Sequence, residues 1–160
     1  MKGNPEVIAV LQEVLKAELT AINQYFVHAE MCENWGYHRL GDLVKKEAID
    51  EMKHAEKLIE RILFLDATPN VSDYFKINIG ADVKKQLEND LALECEAVKR
   101  LNRGIQLCHQ KGDGASRELL EHILRDEEHH VDWLEAQLHM IGEMGIENYL
   151  PEQIKDSSSS

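Results

Sequence analysis

The sequence predicts an all-α chain: a four-helix bundle with one long crossover connection and a short C-terminal helix. Three observations carry this reading. Apolar residues recur at the three- and four-residue spacing of a single helix face over four long stretches. Only three Pro and nine Gly interrupt the 160 residues. The breaks between stretches are unequal, two being short and the middle one, residues 66–81, being long and irregular.

The first helix has a clear start. Asn4 is a good N-cap, Pro5 suits the first helical position, and Glu6 favours the positive end of the dipole. Leu11, Val14, Leu15, Ile22, Tyr25, Ala29 and Cys32 then follow on one face, and Asn34-Trp35-Gly36 ends the helix. The second helix carries Leu40, Val44, Ala48, Ala55, Leu58, Ile62 and Leu65, and Thr68-Pro69-Asn70 is expected to close it. Asp82 caps a third helix with Leu87, Leu91, Val98, Leu101, Ile105 and Cys108 on its face. Gly112-Asp113-Gly114 makes a tight break before a fourth helix with Leu120, Ile123, Leu124, Leu134, Leu138 and Ile141. Gly142 and Gly145 weaken its end, and residues 146–154 read as a short final helix.

Connection length sets the topology. Short breaks near Gly36 and Gly112 make their flanking helices antiparallel. A helix of about 28 residues is about 42 Å long. Residues 66–81, fully extended, reach about 50 Å. That connection can run the length of the bundle and start the third helix parallel to the second. By length the chain is one domain, residues 1–156, and the run Ser157 to Ser160 is expected to be a disordered tail.

Within this frame one motif occurs twice. Glu51-x-x-His54 and Glu127-x-x-His130 are preceded, at one and the same distance, by the lone glutamates Glu18 and Glu94. Every member of the first set recurs in the second at a single constant offset. All six fall on the apolar stripes of their helices, where glutamate is rare unless paired or bound to metal. Three-residue spacing places Glu and His one turn apart on one side of a helix. The heights agree as well. Glu18 and Glu51 lie almost equally far from Gly36 on its two sides, and Glu94 and Glu127 do so around Asp113. Antiparallel helices therefore bring the four carboxylates to mid-bundle within about a turn. Their four negative charges match two divalent cations; without metal they would repel or take up protons. Oxygen and imidazole ligands without sulfur suit iron, manganese or zinc. Asp126 and His129 share the Glu-x-x-His spacing but break the repeat and rotate off the stripe.

Composition narrows the partners. Lys and Arg number 18 against 30 Asp and Glu, a net charge of −12, which argues against nucleic acid and suits a protein that attracts cations. No stretch approaches the roughly 18 apolar residues of a membrane span. The first residues carry no apolar run of the signal-peptide kind. Cys32, Cys95 and Cys108 are odd in number and lack CxxC spacing, which gives neither a disulfide framework nor a zinc knuckle. They are expected to be reduced, core-facing residues of a cytoplasmic protein.

With Glu18, Glu51-x-x-His54, Glu94, Glu127-x-x-His130, the crossover and Met52, the chain resembles bacterioferritin over nearly its whole length. The fold implied is the ferritin-like bundle. The implied activity is that of a ferroxidase: a di-iron site oxidises Fe(II) to Fe(III) with dioxygen or hydrogen peroxide, and ferric mineral is stored. Glu51 and Glu127 would bridge the metals, with Glu18 and His54, and Glu94 and His130, as terminal ligands. The resemblance further implies a 24-subunit shell built from two-fold dimers, of this chain alone or together with a related subunit. It implies haem b on the dimer axis, with Met52 as axial ligand, and a ferredoxin-type electron donor for iron release. Read from the residues alone, Met52 lies about 100° around the helix from Glu51. It joins Ile49, Ile59 and Leu63 in a second apolar stripe that a partner helix should cover.

Tyr25, two turns beyond Glu18, is either a packed core aromatic or, as the resemblance implies, an electron or hydrogen-bond donor at the iron site. Glu47 and Asp50 either line an inner surface that guides iron or belong to a solvated helix face. Asp50 is the candidate inner-surface metal ligand. Many relatives have histidine where this chain has Lys46, and a charged lysine is no ligand. His28, His38, His109, His122, His129 and His139 read as surface or interface residues. Two other classes share features of the chain. A rubrerythrin-like di-metal peroxidase has the same ligand logic, but no CxxC pair for a rubredoxin centre is present. A non-catalytic haem-binding or structural assembly protein is the other.

Overall fold

The structure, a computed structural model, describes residues 1–155. The serine tail lies outside them. Five α-helices follow in order: α1 Pro5–Trp35, α2 His38–Phe64, α3 Val83–Gln110, α4 Gly114–Met144 and the single turn α5 Ile146–Tyr149, which runs on into a 3₁₀ turn at Leu150–Gln153. Among the described residues no helix is long and apolar enough to cross a membrane.

The helix ends follow local chemistry. The Asn4 side chain accepts from Glu6 N at 2.8 Å and Val7 N at 3.3 Å. Gly36, at φ 92°, turns the chain left-handed so that Tyr37 N–H reaches back to Cys32 O at 2.9 Å. Asp82 caps α3 through Lys85 N, and Asp113 caps α4 through Ser116 N. The end of α2 departs from expectation. The helix stops at Phe64, short of Thr68. Asp66 takes the left-handed conformation at φ 60°, and Ala67 N–H returns to Ile62 O at 3.1 Å. This is the closing turn that glycine usually makes, and aspartate tolerates it better than most residues. The N-terminal ammonium supports it, 3.2 Å from Asp66 and 3.0 Å from Phe64 O.

The crossover is fastened along α1 by polar side chains. Gln12 donates to Thr68 O at 2.8 Å and accepts from Asn70 N at 2.9 Å. Thr20 accepts from Phe75 N, Gln24 from Asn78 N, and His28 Nε2 from Gly80 N, all within 3.0 Å. Thr20, Gln24 and His28 follow at the i, i+4 spacing, so they share one face of α1. The loop therefore runs up α1 from near its first turn to near its last, and α3 starts at the end of the bundle where α2 starts. From α3, Asp90 binds both Gln24 Nε2 and His28 Nδ1 at 2.8 Å. Since His28 Nε2 accepts, its proton sits on Nδ1 and is donated to Asp90. His28 is thus fully buried, not at a surface or interface as its lack of a repeat suggested. The network satisfies loop amides that would otherwise be orphaned.

The core has two apolar layers. One combines Val7, Leu11, Val14 and Leu15 of α1 with Leu58, Ile62, Leu101, Cys108, Leu120 and Ile123. The other combines Ala21, Tyr25, Ala29 and Cys32 with Leu40, Val44, Leu87, Leu134, Ile141 and Tyr149. The helices approach closely in the first: a Cβ on Gly104 would stand 2.7 Å from Val10 Cγ1. Cys32 and Cys108 are buried as expected, and Cys95 is half-buried. Between the two layers, at mid-bundle, lies a layer of charge.

Candidate metal centre

That layer consists of the six repeated residues, all buried: Glu18, Glu51, His54, Glu94, Glu127 and His130. Each comes from the inward stripe of its helix, α1 and α3 giving one glutamate each and α2 and α4 giving a Glu-x-x-His pair. His54 Nδ1 is 3.0 Å from Glu127 Oε1, 3.6 Å from Glu18 Oε2 and 3.7 Å from Glu51 Oε2. His130 Nδ1 is 3.0 Å from Glu51 Oε1 and 3.6 Å from both Glu94 Oε1 and Glu127 Oε2.

Two four-residue groups follow, each with its ligand atoms within 4.8 Å of one another: Glu18, Glu51, His54 and Glu127, and Glu51, Glu94, Glu127 and His130. Glu51 and Glu127 belong to both. The offset of the repeat carries Glu18, Glu51 and His54 onto Glu94, Glu127 and His130, so the two groups exchange their shared members. Glu18 Oε2, Glu51 Oε1, Glu94 Oε2, both Glu127 oxygens, His54 Nδ1 and His130 Nδ1 are buried without a hydrogen-bond partner. So many orphaned polar atoms in one layer are costly unless cations sit among them. Three carboxylates and one imidazole per group suit a divalent cation of the iron, manganese or zinc kind, so the donor set fits two such ions.

Electrostatics point the same way. Burial pushes the His54 imidazole down, but Glu127 and Glu51 beside it overcome this and hold it up at about 11. Burial likewise opposes a charged His130, yet Glu127, Glu51 and Glu94 hold it well above its ordinary value. Burial, and then the charge of Glu127, raise Glu94. Without metal the layer therefore keeps protons, which bound cations would displace.

The surroundings do not obey the repeat. Tyr25, fully buried, donates its hydroxyl to Glu94 Oε1, and burial followed by the charge of Glu94 keeps the phenol protonated. The residue related to Tyr25 by the repeat is Leu101, which is apolar. Glu47 is buried with Oε2 unpartnered, and burial raises its carboxyl against the opposing charge of His130. Its related residue is Ile123. Asp90 corresponds to Val14. One half of the centre is thus backed by polar groups and the other by the apolar layer. Glu47 is not on a solvated face, which corrects the simpler reading of that residue.

Other residues stand apart from the six. Asp50 is partly exposed, with Oδ2 3.5 Å from His130 Nε2. Met52 is 49% exposed and Leu63 56%, on the second stripe of α2 and away from the centre. Lys46 and His129 are exposed. Asp126 is partly exposed, 2.8 Å from His54 Nε2. Asp126 breaks the Glu-x-x-His repeat as a ligand, yet Asp50 and Asp126 are themselves related by the same offset, a signal in plain view. Asp90 and His28 had a fainter one, being polar residues on apolar stripes.

A bundle with one long crossover, a glutamate on each of two helices and Glu-x-x-His on each of the other two defines the class of ferritin-like carboxylate proteins. The Ferritin family model, a ferritin-like domain, matches residues 8–144. A bacterioferritin from Mycobacterium leprae (strain TN) is 47% identical over 149 residues, covering 93% of this chain and 94% of the relative. A bacterioferritin from Streptomyces coelicolor is 45% identical over 157 residues, covering 98% and 94%. A bacterial ferritin from Synechocystis sp. is 44% identical over 155 residues, covering 96% and 99%. The chain belongs to the bacterioferritin family.

Proposed function

We propose that this protein takes up Fe(II), oxidises it at the buried centre as a ferroxidase, and stores the ferric product. Iron storage is the function of its family. The observation that carries the reading is the pair of overlapping four-residue groups with Glu51 and Glu127 in common. These two carboxylates would each serve both iron positions. Glu18 with His54 would complete one position, and Glu94 with His130 the other. Bound iron supplies the electrons: two Fe(II) give up two, which with two protons convert dioxygen to hydrogen peroxide, or hydrogen peroxide to two waters.

The chain's own residues make this possible in three ways. The imidazoles present Nδ1 toward the carboxylates and release their protons as the cations enter. The apolar layers exclude bulk water and so strengthen each charge interaction. Tyr25 orients Glu94 through its hydroxyl, and its place beside the centre suits an electron donor. Asp50, partly exposed beside His130, is the candidate inner-surface ligand, and Lys46 stands where many relatives supply a histidine to that inner-surface site.

The finer features rest on family membership and exposed apolar surface. Met52, Leu63 and Phe64 on α2, and Val71, Tyr74, Ile77 and Ile79 on the crossover, are open to solvent in the single chain. Such surface favours association of copies. We assign the chain to two-fold dimers within a 24-subunit shell, with or without a related subunit. Two copies of Met52 would offer thioethers to a haem b between them, to aid iron release with a ferredoxin-type donor. A cytoplasmic location suits this chemistry. The test is anaerobic Fe(II) titration followed by oxygen. The fast phase should saturate at two irons per chain; saturation far from two would overturn the assignment.

A further inference from the structure

The imidazoles of the centre each have a second nitrogen, and it points at an aspartate. His54 Nε2 lies 2.8 Å from Asp126 Oδ2, with hydrogen-bond geometry. His130 Nε2 lies 3.5 Å from Asp50 Oδ2, beyond a good hydrogen bond. Each aspartate comes from the helix opposite its histidine and immediately precedes a shared glutamate. Asp50 precedes Glu51, and Asp126 precedes Glu127. The two are related by the same offset as the six inner residues, so the repeat extends one layer outward. Contact quality, however, is unequal between the halves.

We propose that Asp126 is a positioning residue for His54, holding the ring so that Nδ1 faces Glu18, Glu51 and Glu127. The inference rests on the two-cation reading above and deepens it. His54 can ligate through only one nitrogen at a time in this pocket, and Nδ1 is the buried one, 3.0–3.7 Å from three carboxylates. A carboxylate at Nε2 fixes the proton there, leaves the Nδ1 lone pair for the cation, and makes that lone pair more basic. The other neighbour of Asp126 is His122, whose Nε2 is 3.9 Å away, too far to compete for the same oxygen. Asp126 is 41% exposed, so it stands at the boundary of the centre and is not a buried ligand. Asp50 would do the same for His130 less effectively. The imidazole of the Glu18 and His54 position is therefore more firmly braced than that of the Glu94 and His130 position.

The test is anaerobic titration of the metal-free, full-length protein with Co(II), followed by its visible absorption bands. It reads occupancy and affinity without turnover. The parent should bind two Co(II) per chain. Asp126→Ala should weaken one of the two by roughly 10- to 100-fold, the usual loss for such an outer partner, and leave the other near its parent affinity. Asp126→Ser, too short to reach Nε2, should match alanine and serves if alanine fails to fold. Asp126→Asn, whose amide oxygen still accepts from Nε2, should recover most of the loss. Asp50→Ala should weaken binding less than Asp126→Ala. Alanine and serine titrations that superimpose on the parent would overturn the proposal, as would asparagine behaving as badly as alanine. A third Co(II) in the parent that disappears in Asp126→Ala would also overturn it, by making Asp126 a ligand itself. A parent that binds no pair of Co(II) ions would instead strike down the two-cation reading on which the proposal stands.

Discussion

Glu51 and Glu127, on different helices and far apart in the chain, are the two carboxylates common to both four-residue groups of the centre. Their removal should therefore differ in kind from removal of Glu18 or Glu94. Glu51→Ala or Glu127→Ala should abolish tight binding at both positions, lowering Co(II) stoichiometry from about two per chain to about none. Glu18→Ala should leave about one. Equal losses from all of these variants would mean that no carboxylate is shared. Each of these expectations follows from an anionic ligand being lost from one or both sites.

The metal-free protein should lose stability as pH rises. His54 is held at about 11 against an ordinary value of 6.5. Between those values the folded chain keeps a proton that the unfolded chain has lost, so the slope of unfolding free energy with pH is negative. The stabilisation is complete below about 6.5 and gone above about 11. Raised Glu94 and Glu47 act in the same direction as pH climbs past their ordinary carboxyl range. Metal binding reverses the trend, because cations displace these protons and bind more tightly at higher pH. Chemical denaturation at a series of pH values, with and without Co(II), checks both signs.

Tyr25→Phe removes the hydroxyl that Glu94 accepts and little else. The fast phase of Fe(II) oxidation should slow by about 10-fold, as for other outer partners of metal ligands. Melting temperature should change little. Stopped-flow absorbance after oxygen mixing measures the rate, and an unchanged rate would return Tyr25 to a packing role.

His28→Ala strips the crossover of its last anchor, leaving Gly80 N–H and Asp90 without that partner in a buried site. Asp90 keeps its bond from Gln24 Nε2, so the one orphaned group is Gly80 N–H, and the expected cost is ~2 kcal/mol. Amide exchange should accelerate at Asn78 and Gly80 before the helices are affected.

Met52→Leu keeps the apolar stripe and removes the thioether. If Met52 ligates haem, the haem absorption band of the assembled protein should vanish while dimers persist in sizing measurements. An undiminished band would exclude Met52 as the ligand.

The bundle was legible because its signals are local and periodic. Asn4, Gly36, Asp82 and Asp113 each act within their own turn of chain, and apolar spacing needs no partner to be read. The end of α2 is not legible in the sequence, because Thr68-Pro69-Asn70 are strong breakers whereas the closing turn forms earlier, at an aspartate in the left-handed conformation, Asp66. The burial of Glu47 and His28 is not legible either, because the groups around them come from other helices.

The sequence by itself determined the helix count, the crossover, and the inward placement of Glu18, Glu51, His54, Glu94, Glu127 and His130, since all of these follow from periodicity and an internal repeat. Only the tertiary structure decided that the repeat is symmetric in its ligands and asymmetric around them. Tyr25, Glu47 and Asp90 back one half, while Leu101, Ile123 and Val14 back the other. Asp126 reaches His54 more closely than Asp50 reaches His130. A repeated spacing specifies which residues share a height in the bundle; which neighbours desolvate, charge or orient them depends on packing between helices far apart in the chain.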